Sequence, residues 1–126
     1  MKIERFEGVL AWQEARKLVK MIYSMGRENN DFCNDYKFRG QMNNAAVSIM
    51  SNIAEGFSRH SNKEFIQFLF VAKGSAAEVQ SNLYVALDQK YISKESFENA
   101  YEQADKVARF ISNFITYLLQ KGNKHN

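Results

Sequence analysis

The chain has 126 residues and a net charge of +3, from 17 basic and 14 acidic side chains; 45% of its residues are hydrophobic and 25% are charged. These proportions exclude a disordered chain and fit one domain whose core needs no metal or disulfide to hold it. With no proline and six glycines, the composition also argues against a turn-rich β fold and suits long helices.

Cys33 stands alone and has no intramolecular partner, which predicts a reducing compartment. No apolar run approaches the ~18 residues that a membrane span needs. The stretch Met1 to Gly8 is charged and leads into no apolar signal region. The expected location is cytoplasmic.

Helical periodicity dominates from Leu10 onward. The first predicted helix covers about residues 10–26, with Ala11, Ala15, Leu18, Ile22 and Met25 on one stripe. The polar stretch Arg27 to Asn34 reads as the longest loop, with Cys33 as a plain surface thiol. The second helix covers about 35–58, with Phe38, Met42, Ala45, Ala46, Ile49, Ile53 and Phe57 inward. Ser61-Asn62-Lys63-Glu64 is a capping box that opens a third helix over 62–89. Its inward row is Phe65, Phe68, Leu69, Ala72, Ala76, Val79, Leu83, Ala86 and Leu87. Gly74 within it suits a close helix approach. Ser93 is the expected N-cap of a fourth helix over 94–121, with Gly122 as its C-terminal stop. Glu102–Lys106 and Asp105–Arg109 are spaced as surface ion pairs on that helix. Four helices joined by short connections predict an all-α, up-down-up-down antiparallel four-helix bundle occupying residues 1–126 as one domain.

No catalytic or cofactor constellation emerges. A di-metal bundle needs inward carboxylates with a Glu-x-x-His repeat, and the two histidines, His60 and His125, follow no glutamate by three. Cys33 has no histidine near it, and no phosphate-binding glycine loop is present. The sequence therefore predicts no catalytic residue, no cofactor and no metal.

Three surface features remain. Arg16, Lys20 and Arg27 form a basic stripe on the first helix, with Lys17 adjacent and Trp12 and Tyr23 nearby; these four cations are the candidate nucleic-acid contacts. Cations interleaved with aromatic rings suit phosphates and stacked bases, although the same rings are spaced to pack on a neighbouring helix. Asn44, Ser48, Asn52, Glu55 and Arg59 step along the second helix as a polar stripe. That stripe is either a solvated, braced face or a seam at a subunit contact. Ile66, Phe70, Tyr84, Phe110 and Tyr117 lie outside the main apolar stripes, which predicts contacts between copies.

Several of these segments resemble a known family. The residues are Val9-Leu10-Ala11-Trp12-Gln13-Glu14-Ala15 and Tyr23, then Gln41, Ala45-Ala46-Val47-Ser48-Ile49, Ser51-Asn52-Ile53-Ala54-Glu55-Gly56 and Arg59. Phe65, Phe68-Leu69, Ala72, Gly74-Ser75 and Glu78 complete the set. Nearly the whole chain is covered. It resembles the four-helix-bundle proteins encoded by intervening sequences within bacterial large-subunit ribosomal RNA genes, also called S23 ribosomal proteins. The resemblance implies a homopentameric ring and a role in nucleic-acid binding. A related accessory protein of diversity-generating retroelements partners a reverse transcriptase. Two departures stand out: Asn43 and Asn44 replace two usual arginines, and Met50 replaces a common proline. The missing charges weaken the nucleic-acid reading for this member. Two readings stay open: an oligomeric bundle that binds RNA or DNA, and a scaffold for a protein partner.

Overall fold

The structure is a computed structural model that describes residues 3–125. It is all-α. A short 3-10 turn, Phe6–Gly8, precedes five helices: α1 (Leu10–Glu28), α2 (Asn30–Asn34), α3 (Tyr36–Phe57), α4 (Asn62–Asp88) and α5 (Lys94–His125).

The four long helices form the bundle. α1 packs on α3 and α5, α3 on α4, and α4 on α5, so α1 and α4 lie diagonally across the core. Contacts along the seams set the directions. Ser48 meets Ser75 midway along α3 and α4, while Phe57 meets Phe65 at their shared turn. Phe65 touches Phe114, and Tyr84 touches Phe97, at opposite ends of the α4–α5 seam. Glu14 pairs with Lys106, whereas Leu10 and Ala11 lie beside Phe114 and Tyr117. Successive long helices therefore run antiparallel, as their short connections require.

The core is the set of stripes that the periodicity picks out. Leu18, Ile22, Met42, Ile49, Ile53, Leu69, Val79, Leu83, Val107 and Ile111 are fully buried. Each such side chain contributes about 1.5–3 kcal/mol of burial free energy. Ala15, Ala46, Ala72, Ala76, Ala86, Ala100 and Ala104 are also fully buried and let the helix backbones come close. Phe38, Phe57, Phe68, Phe97, Tyr101 and Phe114 are half-buried and seal the edges of this core.

Capping sets the starts. The Ser61 hydroxyl accepts from the Glu64 amide at 3.2 Å, and the Ser93 hydroxyl accepts from the Ser96 amide at 3.1 Å. α4 stops in a Schellman turn: the Tyr91 amide donates to Ala86 and the Lys90 amide to Leu87, with Lys90 at φ 62°.

Three expectations change. The Arg27–Asn34 loop is instead the end of α1 plus the short helix α2. The Asn29 side chain caps it by accepting from the Phe32 amide at 2.9 Å, and Phe32 is buried. Asp35 caps α3 in the same way, accepting from the Phe38 amide at 3.2 Å. Phe32, Phe38 and Tyr91 then stack across this end of the bundle, and the Tyr91 hydroxyl donates to Asp35 Oδ2 at 2.6 Å. Cys33 consequently sits half-buried on a helix, where Arg39 Nη1 donates to its sulfur at 3.2 Å.

Gly122 does not stop α5, which runs on to His125; no glycine among the described residues takes the left-handed conformation that such a stop uses. Gly74 makes no close approach inside the bundle. It is exposed, and a Cβ placed there would meet nothing within 4 Å. The tight contact is at Gly56, where a Cβ would lie 2.7 Å from Phe68 Cβ and 2.8 Å from Phe65 Cδ1.

Candidate nucleic-acid interface

α1 turns its apolar stripe to the core and leaves Arg16, Lys20, Tyr23 and Arg27 exposed. Their steps of four, three and four place them in one row about 16 Å long at 1.5 Å per residue. Among the described residues, none of the three cations has a carboxylate within 4 Å. Tyr23 is 39% exposed between Lys20 and Arg27. Trp12 is half-buried, meets the Phe6 ring edge-on at 5.2 Å, and carries the Arg16 guanidinium 5.9 Å from its centroid.

Lys17 is set apart from this row. Its ammonium is 2.9 Å from Glu14 Oε2. Glu14 is 8% exposed and lies in the α1–α5 seam. Lys106 sits 3.3 Å from Glu14 Oε1, and Gln103 Nε2 donates to Oε1 at 3.1 Å and to the Glu14 carbonyl at 2.8 Å. The hydrogen bond from Lys17, reinforced by Gln103 and Lys106, holds the Glu14 carboxyl down at about 2 against the opposing effect of burial. Lys106 therefore crosses to Glu14 rather than pairing with Glu102, and Asp105 accepts from Gln80 at 3.1 Å rather than pairing with Arg109.

The polar row of α3 divides in two. Ser48 and Ser75 share a hydrogen bond at 2.9 Å across the α3–α4 seam, and Asn52 Nδ2 donates to the Ser48 carbonyl at 2.8 Å and to its hydroxyl at 3.0 Å. Glu55 and Arg59 form a separate, exposed pair at 3.0 Å, with the Arg59 guanidinium 4.7 Å from the Phe68 ring centroid. Glu55 is thus a solvated carboxylate, not a buried one. Asn44 is exposed in a polar groove of about 520 Å3 between Lys37, Gln41 and Glu78.

The apolar residues outside the main stripes also divide. Ile66 and Phe110 are half-buried and pack on the core. Phe70, Tyr84 and Tyr117 are 55%, 51% and 43% exposed. Phe70 lies beside Val71 and Gly74 on the outer side of α4, while Tyr117 borders an apolar groove of about 340 Å3 with Ile3, Leu10, Phe110 and Phe114. Among the described residues, no three of His, Cys, Asp and Glu come together as a metal-binding group. His60 is exposed in the turn before α4. No described helix is long and apolar enough to cross a membrane.

Residues 7–113 match the family model of the 23S rRNA-intervening sequence protein. The chain belongs to that family. Its fold is similar to that of a protein with unknown function from the S23 ribosomal protein family of Bacteroides thetaiotaomicron VPI-5482, at TM-score 0.74 and 20% identity, covering 83% of this chain and 97% of the other. No curated protein matches the chain.

The motif residues that carried the family resemblance are largely structural in this 23S rRNA-intervening sequence protein. Ser48, Asn52 and Ser75 tie α3 to α4. Gly56 admits the rings of Phe65 and Phe68. Glu14 tethers α1 to α5. Sequence reading missed the role of Glu14, because its partners Gln103 and Lys106 are remote in the chain. The only local signal was Lys17 at i+3.

Proposed function

We propose that this chain is a non-enzymatic, homo-oligomeric assembly module that binds RNA along the outer edge of α1. The observation that carries the reading is the row of Arg16, Lys20 and Arg27, exposed and, among the described residues, free of carboxylate partners within 4 Å, with Tyr23 partly exposed between them. Unpaired cations release counterions when they meet phosphates, and an open ring offers a base a stacking face. Membership of the 23S rRNA-intervening sequence protein family and a pI near 9.0 support it. A few cations per copy bind phosphate weakly, so repetition around an assembly supplies the affinity.

Two apolar surfaces on different faces support self-association. Phe70 and Val71 project from α4, and the groove beside Tyr117 opens between α1 and α5. Unlike surfaces that complement each other make head-to-tail contacts, which close into rings, a pentamer among them.

The test titrates a fluorescent ribosomal-RNA fragment with purified protein over a salt series, with the assembly mass read by light scattering on the same sample. Binding should weaken steeply with salt, and the triple variant Arg16→Ala, Lys20→Ala, Arg27→Ala should lose about tenfold or more in affinity and flatten the salt slope. No binding at low salt, or an unchanged variant, overturns the RNA reading.

The same exposed apolar surfaces favour a second reading, a scaffold for a protein partner such as a nucleic-acid polymerase. A partner retained after nuclease and high-salt washing would favour it over RNA binding.

A further inference from the structure

α3 adds groups to the basic edge of α1 that the RNA reading does not yet use. Arg39 lies across the α1–α3 seam, where its Cγ and Cδ stand 3.3 Å from the position a Cβ on Gly26 would take. The missing side chain at Gly26 lets the arginine stem settle on the α1 backbone, next to Arg27 in the chain. Nη1 of Arg39 donates to the Cys33 sulfur at 3.2 Å, and the guanidinium lies 5.4 Å from the Tyr36 ring centroid. Among the described residues, Arg39 has no carboxylate within 4 Å. Its side chain is therefore held in place with its charge uncompensated.

Tyr36 is 70% exposed, the most open large hydrophobic side chain among the described residues. Tyr23 precedes Gly26 by three residues, and Tyr36 precedes Arg39 by three. Because α1 and α3 run antiparallel, the two rings lie on opposite sides of the Gly26–Arg39 contact, about 9 Å apart along the bundle axis. Arg27 and Arg39 stand between them. With Lys20 and Arg16 the edge extends about 20 Å. The acidic residues around it have other partners. Glu28 accepts from Ser24, Glu7 pairs with Arg5, and Asp35 accepts from the Tyr91 hydroxyl. Asp31 lies toward the same tyrosine and helps to hold its hydroxyl protonated.

Resting on the RNA reading above, we infer that this α1–α3 edge takes an unpaired strand, with bases stacked on Tyr23 and Tyr36 and phosphates at Arg16, Lys20, Arg27 and Arg39. A duplex keeps its base faces stacked inside and offers phosphates, sugars and groove edges, so open rings gain nothing from it. An unpaired strand turns base faces outward, and each can lie on a ring while the backbone follows the cations. Base faces and phosphates are common to RNA and DNA strands, and the 2′-hydroxyl tells them apart.

The test measures the anisotropy of a short fluorescein-labelled RNA strand without self-pairing, titrated with the full chain at low salt. The same RNA annealed to its complement, the DNA strand of the same sequence and a glutamate-rich peptide serve as comparisons. The unpaired RNA should bind several-fold more tightly than the duplex, and the peptide should bind weakly. Tyr36→Ala should weaken the strand about fivefold and leave the duplex unchanged, whereas Tyr36→Phe should keep the affinity. Arg39→Gln keeps the stem on Gly26 and should lower the salt slope by about one. Tyr36 is largely exposed, so its truncation should preserve the fold, which the circular dichroism melt would verify. Equal binding of the DNA strand supports the inference through the shared chemistry, and tighter RNA supports it with an added 2′-hydroxyl contact. A duplex that binds as tightly as the strand, or an unchanged Tyr36→Ala affinity, overturns this inference while the RNA reading stands. No binding of any nucleic acid, or a peptide that binds as tightly as the strand, overturns both.

Discussion

Glu14 shows how one side chain ties two helices. Its carboxylate lies in the α1–α5 seam, and two lysines and one glutamine hold it ionised. Its folded value of about 2 lies below its ordinary 4.5, so the unfolded chain takes up the proton first as pH falls. The stability it confers is complete above about 4.5 and fades as pH drops toward 2. Lys17 and Lys106 are partly exposed and screened, which limits the effect to about 2 kcal/mol. Urea midpoints measured from pH 6 down to pH 2 should show this loss, and Glu14→Gln should lower stability at neutral pH and flatten the acid limb. Gly56 is the second decisive residue. An alanine there forces Phe65 and Phe68 aside, so Gly56→Ala should cost about 1–3 kcal/mol in chemical denaturation.

At the scale of elements, the helix ends follow their capping residues. Ser61→Ala removes the acceptor for the Glu64 amide and should cost about 1 kcal/mol, read as a lower thermal midpoint. The turn after α4 is less well served. Lys90 occupies a left-handed conformation that a side chain disfavours by about 1–2 kcal/mol, partly offset by the greater freedom of glycine in the unfolded chain. Lys90→Gly should therefore stabilise the protein by about 0.5–1 kcal/mol, and a lower unfolding midpoint would contradict this account of the turn. α2 belongs to the same scale. Its sequence looks like a polar loop, yet Asn29 and Asp35 are both N-caps, and Phe32 supplies the one anchor that holds the segment to the bundle.

For the whole molecule, the distribution of surface chemistry matters most. The basic row lies on α1, the packed rings of Tyr84, Phe97 and Tyr101 on the α4–α5 seam, and the open apolar residues Phe70 and Val71 on the outer side of α4. Gly74 belongs to that last surface. In an isolated bundle Gly74→Ala should stabilise by about 1 kcal/mol, because nothing stands where the methyl group would go. Should copies pack on α4, the added methyl and a larger Gly74→Leu side chain would hold them apart. Sedimentation of Gly74→Leu should then show a smaller assembly with an intact fold, and an unchanged mass would place the assembly contact elsewhere.

The sequence by itself determined the four long helices, their inward stripes, the caps at Ser61 and Ser93, and the exposed row of Arg16, Lys20 and Arg27. All of these depend on steps of three and four along one helix, which any chain of such periodicity displays. The tertiary structure decided the rest. It brought Lys106 and Gln103 of α5 across to the Glu14 carboxylate. It also split the α3 polar row, because Ser75 of α4 claims Ser48 while Arg59 remains near Phe68. Gly56 lies one residue from the end of α3 and Gly74 in the middle of α4, and only the neighbouring helix shows that the first is tightly packed and the second open. Periodicity specifies which face of a helix turns inward, but it carries no information about which side chain of another helix will stand opposite.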